Sequence, residues 1–191
     1  MKDIKIGYAI CGSFCTVKQS INELKKLTEA GADITPIMSP VVYNTDTRFA
    51  KSDDLKKSVS EFTGKEIWHT VEQTEPIGPK SLLDLLIIAP CTGNTLSKIA
   101  NGVTDTSVTM AAKAHLRNNK PVLLAIATND ALSGSAQNIG KLLNTKNIYF
   151  VPFGQDDAIK KPTSIICDFS KIISAAEYAL NGKQLQPILI K

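Results

Sequence analysis

The stretch Leu82–Thr95, LLDLLIIAPCTGNT, decides the fold. Its first part, Leu82–Ala89, is apolar apart from Asp84, and such a continuous apolar run is typical of a parallel strand that is covered on both faces. The second part, Pro90–Thr95, changes to small polar residues, which predicts a loop and then a helix capped by Asn94 or Thr95. A buried strand followed by a polar turn and a helix is the repeating unit of an α/β sheet.

The same unit recurs along the chain. Further strands are predicted at Ile4–Ile10, Asp33–Met38, Pro121–Ala127 and Ile148–Val151. Apolar residues at helical spacing predict helices at Val17–Leu27, Ser52–Gly64, Thr95–Asn101, Val108–Asn118 and Ala136–Asn144, and a last helix between Asp168 and Gly182. Pro36 favours an edge position for its strand, and Pro152–Pro162 is predicted to be a loop. The 191 residues are therefore expected to form a single domain with an open, mostly parallel sheet and helices on both faces.

Composition excludes several classes of protein. With 43% hydrophobic and 21% charged residues the chain is not a disordered one. It has neither an apolar run of about 18 residues for a membrane span nor a signal-peptide pattern, so a cytoplasmic protein is expected. The net charge is +4, but no dense basic stretch indicates a nucleic-acid partner. The four cysteines include no CxxC pair, which favours reduced thiols and no metal site.

Ligands of open parallel sheets bind beyond the carboxyl ends of the strands, so the loops there are the first candidates. Gly12–Thr16 (GSFCT) joins the first strand to a helix, and its backbone amides together with the Ser13 and Thr16 hydroxyls suit a phosphate. A plain tight turn explains the same residues, and the usual nucleotide fingerprints are absent. Ser39, after the second strand, either adds a donor or caps a helix.

Two later strand ends carry small polar residues as well. Thr92 and Asn94 follow the most apolar strand, and Thr128–Asp130 follows the next one. We expect these loops and the Gly12–Thr16 turn to meet at one edge of the sheet, forming a pocket for an anion and a flat ring. His69 is either a general base near neutral pH or a surface histidine, and His115, on an amphipathic helix, is expected to be structural.

Taken together, Gly12-Ser13, Ala89–Leu96 and Lys98–Gly102 resemble the flavin-dependent cysteine decarboxylase superfamily. The resemblance implies a Rossmann-like three-layer sandwich that binds FMN at the boundaries between subunits. Carried over by position, it implies phosphate contacts from Gly12, Ser13 and Ser39, flavin contacts from Pro90, Thr92, Asn94 and Thr95, and a substrate loop containing Thr128 and Asn129. His69 lies in the region of the family's active-site histidine, and it and Asn94 are the catalytic candidates.

One departure from that superfamily concerns the substrate loop. The decarboxylases carry P-x-M-N-x-x-M-W there, whereas this chain has Ala127–Leu132, ATNDAL. Asn129 matches the pattern, but Thr128 replaces the methionine and no tryptophan follows. FMN-dependent decarboxylation is therefore kept only as an alternative.

A closer resemblance, to the B-subunit family of the dipicolinate synthases, extends over nearly the whole chain. The stretches that carry it are Ile77–Lys80, Thr104–Thr106, Ala112–Asn118, Thr128–Asp130, Val151–Asp157 and Gly182–Pro187. It implies an oxidoreductase subunit in the mother-cell cytoplasm of a spore-forming bacterium. The implied partner is the A subunit of such a synthase, which is similar to nicotinamide-dependent dehydrogenases and would carry any NAD(P).

The implied reaction oxidises dihydrodipicolinate, or its hydroxytetrahydro precursor, to pyridine-2,6-dicarboxylate. A flavin or a nicotinamide accepts the hydride in such a reaction, and a cationic side chain from Arg48, Lys98, Lys113 or Arg117 is expected to hold a substrate carboxylate. A noncatalytic partner of the A subunit, with a vestigial flavin pocket, is the alternative from another class. The superfamily also implies a homo-oligomer, a trimer or a dodecamer, and the apolar tail Pro187–Ile190 needs a surface to cover it.

Overall fold

A computed structural model describes residues 1–190 and places seven strands in one sheet. The strands are β1 (Lys5–Ile10), β2 (Asp33–Met38), β3 (Leu85–Cys91), β4 (Val122–Thr128), β5 (Ile148–Phe150), β6 (Phe153–Asp157) and β7 (Lys161–Cys167). The helices are α1 (Val17–Glu29), α2 (Pro40–Asn44), α3 (Ser52–Thr63), α4 (Val71–Thr74), α5 (Gly93–Ala100), α6 (Ser107–Leu116), α7 (Ala136–Leu143) and α8 (Ile172–Leu180). Single 3₁₀ turns lie at Glu75–Ile77 and Phe169–Lys171.

The sheet has the order β2-β1-β3-β4-β7-β6, and β5 pairs with the first half of β4. Strands β1 to β5 run parallel, and β7 pairs antiparallel with both β4 and β6. Helix α1 contacts α3 and α8, whereas α5 contacts α6 and α7, so that two helical groups flank the strands. The predicted Rossmann-like sandwich with an open, mostly parallel sheet is confirmed.

The predicted central strand is present but shifted along the chain. All seven residues of β3 are buried, as both covered faces require. It begins at Leu85, and the preceding Asp84 contacts β1 twice: its carboxylate accepts the Lys5 amide at 3.0 Å, and its amide donates to the Lys5 carbonyl at 2.7 Å. The strand continues through Pro90, which lies at a shift in the register between β3 and β4, where no ladder hydrogen bond from its nitrogen is needed.

Helix ends and the sheet edge follow the sequence closely. Gly31, two residues after α1, and Gly64, directly after α3, have left-handed φ values of +84° and +66°, where glycine avoids the steric cost of a Cβ atom. Strand β2 is at the edge of the sheet, as Pro36 predicts. Its outer side is partly covered, because the Trp68 amide donates to the Pro36 carbonyl at 2.9 Å.

The prediction of a loop at Pro152–Pro162 is wrong, since this segment forms β6, a turn and the start of β7. Asp157 closes the turn by accepting the amides of Ile159 and Lys160 at 3.0 and 2.9 Å. Three of the five residues of β6 are polar, and two of these, Gln155 and Asp156, are exposed. The apolar periodicity that reveals a strand in sequence is therefore missing from this hairpin.

The apolar tail docks on its own chain. The Phe153 amide donates to the Ile188 carbonyl at 2.9 Å, and the Ile190 amide donates to the Phe153 carbonyl at 3.0 Å. A Cβ atom at Gly154 would lie 2.5 Å from the Ile190 carbonyl oxygen, so glycine permits this close approach. The chain thus covers its own tail in part, although the Leu189 side chain stays 68% exposed. Oligomerisation stays a prediction. Within residues 1–190 no helix is long and apolar enough to cross a membrane.

A buried hydroxyl network fixes α1 against the sheet. The Tyr8 hydroxyl donates to the Ser20 carbonyl at 2.8 Å, and the Ser20 hydroxyl donates to the Ala89 carbonyl. Tyr8 is fully buried, and burial raises the pKa of its phenol well above the ordinary range, so that it stays a donor. Because Ser20 belongs to α1, the network holds the first turn of that helix beside the ends of β1 and β3.

Removing the Tyr8 hydroxyl is expected to destabilise the protein. Tyr8→Phe should lower the free energy of unfolding by about 1–2 kcal/mol. The reason is that a buried hydrogen bond is lost, and no other side chain of the described residues donates to the Ser20 carbonyl in place of the Tyr8 hydroxyl. Urea unfolding measures the change. Tyr178→Phe is the matched control, because Tyr178 is 46% exposed and its change should stay within about 0.5 kcal/mol. Equal stabilities for the two variants would contradict the role given to the network.

Candidate functional site

A cleft of about 980 Å³ lies at the carboxyl ends of the parallel strands. The loops after β1, β3 and β4 form one side of it, through Gly12–Thr16, Thr92–Asn94 and Ala127–Asp130. Residues of the β6–β7 hairpin, the pair Arg48-Phe49 and Gln19 of α1 form the rest. The predicted meeting of three polar strand ends at one edge is thus what the structure has.

The first turn of the cleft exposes an open helix end. Thr16 precedes α1, but its side chain makes no capping hydrogen bond to the helix. Its hydroxyl lies 3.0 Å from both the carbonyl and the hydroxyl oxygen of Ser13. The first amides of a helix have no partner within it, so those of α1, which begins directly after the cleft residue Thr16, form a positive dipole end without a side-chain cap. This is the arrangement that binds a phosphate.

A second observation concerns an unpaired hydroxyl beside the end of β1. The Ser39 side chain is buried, and its oxygen has no hydrogen-bond partner among residues 1–190. Ser39 does not line the cleft, but its amide donates to the Ile10 carbonyl at 3.0 Å, which places it beside the end of β1. Buried polar atoms without a partner are rare and indicate a missing ligand or water.

Space at the turn is restricted as well. A Cβ atom at Gly12 would lie 3.0 Å from a methyl group of Val41 and 3.3 Å from the Phe14 ring. A glycine therefore leaves the backbone of this turn free to approach an anion.

The loop after β3 divides into lining and supporting residues. Thr92 and Asn94 line the cleft, and Thr92 also caps α5 by accepting the Thr95 amide at 3.3 Å. Pro90 and Thr95 do not line the cleft. Thr95 is buried, and its hydroxyl donates to the Cys11 sulfur at 3.3 Å. Burial raises the pKa of the Cys11 thiol to about 11, so it stays protonated at neutral pH. The structure gives Pro90 and Thr95 a supporting place, and a direct flavin contact from either stays a prediction.

The loop after β4 contains a carboxylate, Asp130, to which the sequence alone assigns no role. It accepts the Thr128 hydroxyl at 2.6 Å and the Ser135 hydroxyl at 2.9 Å, one on each oxygen. Gly93 abuts this cluster, since a Cβ atom there would lie 2.5 Å from the carboxylate. Thr128 and Asn129 line the cleft as predicted. No local sequence signal marks Asp130, because the group that surrounds it comes from two separate loops.

The hairpin supplies a further charged pair. Lys161 and Asp156 line the cleft and form an ion pair at 2.6 Å. The Asp156 carboxylate raises the pKa of Lys161, so the ammonium group keeps its charge. The sequence prediction missed these residues because it treats their segment as a loop. The signal that was available is the charge pattern of Asp156–Lys161, DDAIKK, with acidic residues before the turn and basic ones after it.

Of the four cations proposed for a carboxylate, the structure brings only Arg48 to the cleft. Its guanidinium lies 4.7 Å from the ring centre of Phe49. Lys98 instead pairs with Asp105 at 2.8 Å. Lys113 and Arg117 belong to α6 or its end and do not line the cleft.

His69 also lies outside the cleft. Its ring stacks on Tyr43 at a centroid distance of 3.7 Å, and its Nδ1 lies 3.4 Å from the Ile67 carbonyl oxygen. A catalytic role for His69 stays a prediction that the cleft of a single chain does not support. No group of three His, Cys, Asp or Glu side chains suited to a metal ion occurs in the part of the chain that the structure describes.

Comparisons with known proteins agree with this architecture. The family model described as Flavoprotein matches residues 1–178. The B subunit of the dipicolinate synthase of Bacillus subtilis is 44% identical over 191 residues, which cover 100% of this chain and 96% of that protein. The crystal structure of the corresponding dipicolinate synthase B subunit from Bacillus halodurans has a TM-score of 0.91 and 42% identity, and the match covers 100% of this chain and 99% of that one. An FMN-dependent cysteine decarboxylase, at 20% identity and a TM-score of 0.67 over 93% of this chain and 97% of its own, shares the fold.

Proposed function

The chain belongs to the Flavoprotein family, and within it to the dipicolinate synthase B subunits, and from that premise we propose that it binds FMN in the strand-end cleft and forms a dipicolinate synthase together with an A subunit. The reaction is the oxidation of dihydrodipicolinate, or its hydroxytetrahydro precursor, to pyridine-2,6-dicarboxylate. NAD(P), where used, belongs to the A subunit. The proteins of this family are proposed to assemble as homo-oligomers in the cytoplasm of a sporulating cell.

The observation that carries the proposal is the uncapped start of α1 at the cleft, supported by the unpaired buried hydroxyl of Ser39 beside the end of β1. Both groups donate hydrogen bonds, and neither has a partner of its own, as a bound phosphate would require. The start of α5 offers no equivalent site, because Thr92 caps it and the Asp130 carboxylate lies beside it. The residues present therefore fit FMN: Gly12–Thr16 would hold its phosphate, and Thr92, Asn94 and Thr128 would line the space for its ring.

The remaining cleft residues suit a small dicarboxylate. FMN, when bound, supplies a hydride acceptor. Arg48 and Lys161 are the cationic side chains among the described cleft residues, and each offers donors to a carboxylate. Phe14 and Phe49 add apolar surface to the same space. This chain thereby binds and orients the substrate.

A negative charge placed in the phosphate turn tests cofactor binding. Ser13→Asp should weaken FMN binding by about 100-fold or more, because two like charges a few ångströms apart repel by several kcal/mol near a protein surface. The same carboxylate at the start of α1 should leave the FMN-free protein as stable as before or slightly more stable. Flavin fluorescence titration and thermal unfolding measure the two effects. Ser58→Asp, on α3 outside the cleft, is the control that keeps wild-type FMN binding, and equal loss of FMN in both variants would contradict the assigned turn.

The activity is tested by purifying the chain with and without the A subunit. We expect a flavin spectrum from this chain and formation of pyridine-2,6-dicarboxylate by the pair. Product formation with no flavin bound would favour the noncatalytic stabilising partner instead. Release of carbon dioxide from a cysteinyl substrate would favour the decarboxylase, which the ATNDAL loop opposes.

A further inference from the structure

We infer that Asp130 is the general base that removes the ring proton from the dihydropyridine substrate, an inference that rests on the proposed function. A dihydropyridine dicarboxylate becomes a pyridine when it loses two hydrogens. One C–H bond breaks with its electron pair, which leaves as hydride to the flavin, the oxidant of the proposed function. The neighbouring C–H bond gives its proton to a carboxylate oxygen of Asp130, and its electron pair becomes the new ring double bond. Asp130 then returns the proton to water.

The cleft offers few other acceptors for that proton. No histidine lines it in the described part of the chain, and its titratable residues are Cys15, Arg48, Asp130, Asp156 and Lys161. Arg48 and Lys161 are cations and cannot take a proton. Asp156 is held in its ion pair with Lys161 at 2.6 Å. Cys15 lies by Ser13 at the phosphate turn, with 3.9 Å between its sulfur and the serine hydroxyl.

Asp130, in contrast, lies in the cleft against the loop Thr92–Asn94 and keeps acceptor capacity. Two hydroxyl groups fix its two oxygens, at 2.6 and 2.9 Å. An ionised carboxylate offers about four lone-pair positions, so each oxygen retains one for a substrate. The close approach of Gly93 places the carboxylate against the loop that holds Thr92 and Asn94. A base that is fixed by neighbours in this way meets the geometric requirement for proton transfer.

The present loop has a carboxylate where the proposed reaction needs a proton acceptor. Asp130 follows directly after Asn129, the residue that matches the asparagine of the decarboxylase pattern, which leaves the next position unspecified. Aromatisation of a dihydropyridine requires the removal of a carbon-bound proton, and a carboxylate at this place can accept it.

The test compares Asp130→Asn with wild type, each loaded with FMN and assembled with the A subunit. We expect kcat to fall about 100-fold or more, as for other general bases, with FMN bound as before. The wild-type activity should fall at acidic pH, and the variant should lack this acidic limb of the pH profile. The variant leaves the other charged groups that line the cleft unchanged, namely Arg48, Asp156 and Lys161. Asp105→Asn, whose carboxylate pairs with Lys98 outside the cleft, is the matched control and should keep the wild-type profile.

A second readout does not depend on turnover. Pyridine-2,6-dicarboxylate should bind to FMN-free Asp130→Asn at least as tightly as to wild type in calorimetry, because an anion facing the dianion has been removed. Ser135→Ala, which leaves the carboxylate in place but takes one donor from it, should lower kcat with little change in KM and without abolishing turnover; this variant decides the matter if Asp130→Asn does not fold.

The failures are distinguishable. Wild-type protein without flavin or without turnover would overturn the proposed function and this inference together. Normal kcat and an unchanged acidic limb in FMN-loaded Asp130→Asn would overturn the inference alone. Weakened product binding that accounts for the whole loss of activity would do the same, because it would make Asp130 a binding group and not a base.

Discussion

Gly93→Ala is expected to destabilise the protein by about 1–3 kcal/mol, the usual cost of adding a methyl group to a filled site, and to weaken FMN binding about 10-fold or more. The added Cβ atom would lie 2.5 Å from an Asp130 oxygen, 2.7 Å from the Thr128 hydroxyl and 2.9 Å from the Ser135 hydroxyl. The Thr128 and Ser135 hydroxyls both donate hydrogen bonds to the Asp130 carboxylate, so none of the three groups can move away without breaking a hydrogen bond. The wall shared by the β3 and β4 loops must therefore shift.

The sign of this effect is opposite to what helix propensity alone gives. Gly93 is the first residue of α5 and does not have a left-handed φ value, so alanine would suit its backbone. Glycine to alanine in a helix otherwise stabilises by about 0.5–1 kcal/mol. Gly140→Ala is the matched control, because nothing lies within 4 Å of a Cβ atom there and the residue is in α7. Urea unfolding should show one variant less stable and the other more stable than wild type; two stabilised variants would contradict the crowding argument.

The elements that the sequence predicts well are those with purely local causes. The apolar run of β3 predicts a strand that is buried on two faces. Gly31 and Gly64 predict left-handed φ values where helices end. A short segment of sequence determines both features. The meeting of the Gly12–Thr16 turn with Thr92 and Thr128 follows from the same strands, because parallel strands end at one edge. Knowledge of the strand order was not needed for that prediction.

The parts that were missed depend on contacts between distant segments. The β6–β7 hairpin is stabilised by pairing with β4 and by a turn at Asp157, while its own residues are largely polar. Asp130 becomes part of a cluster only when Ser135 and Gly93 meet it. The sequence favours Lys98 as a cation for a substrate carboxylate, but the fold places Asp105 next to it and the two form an ion pair. Tertiary partners, which sequence patterns do not record, decided each of these cases.

The second large effect is expected at mildly acidic pH and comes from His115. The side chain is fully buried in α6, and its Nε2 bonds to the Pro121 carbonyl at 3.0 Å. Its Nδ1 has no hydrogen-bond partner among residues 1–190. Burial lowers the pKa of His115 to about 4, and Lys120 acts in the same direction, while the Pro121 carbonyl and Asp84 oppose it. The neutral ring is therefore the form that fits the folded protein, which agrees with its predicted structural role.

Because the folded pKa lies below the ordinary value of 6.5, the unfolded chain binds the extra proton first as the pH falls. The stability that neutral His115 contributes is complete above pH 6.5 and is lost progressively down to about pH 4, with a total of about 3 kcal/mol from this group. His115→Gln keeps an amide donor for Pro121 but does not titrate. Its free energy of unfolding in urea should therefore fall less steeply than that of wild type between about pH 7 and pH 4.5. Parallel slopes for the two proteins over that interval would show that some other group causes the acid sensitivity.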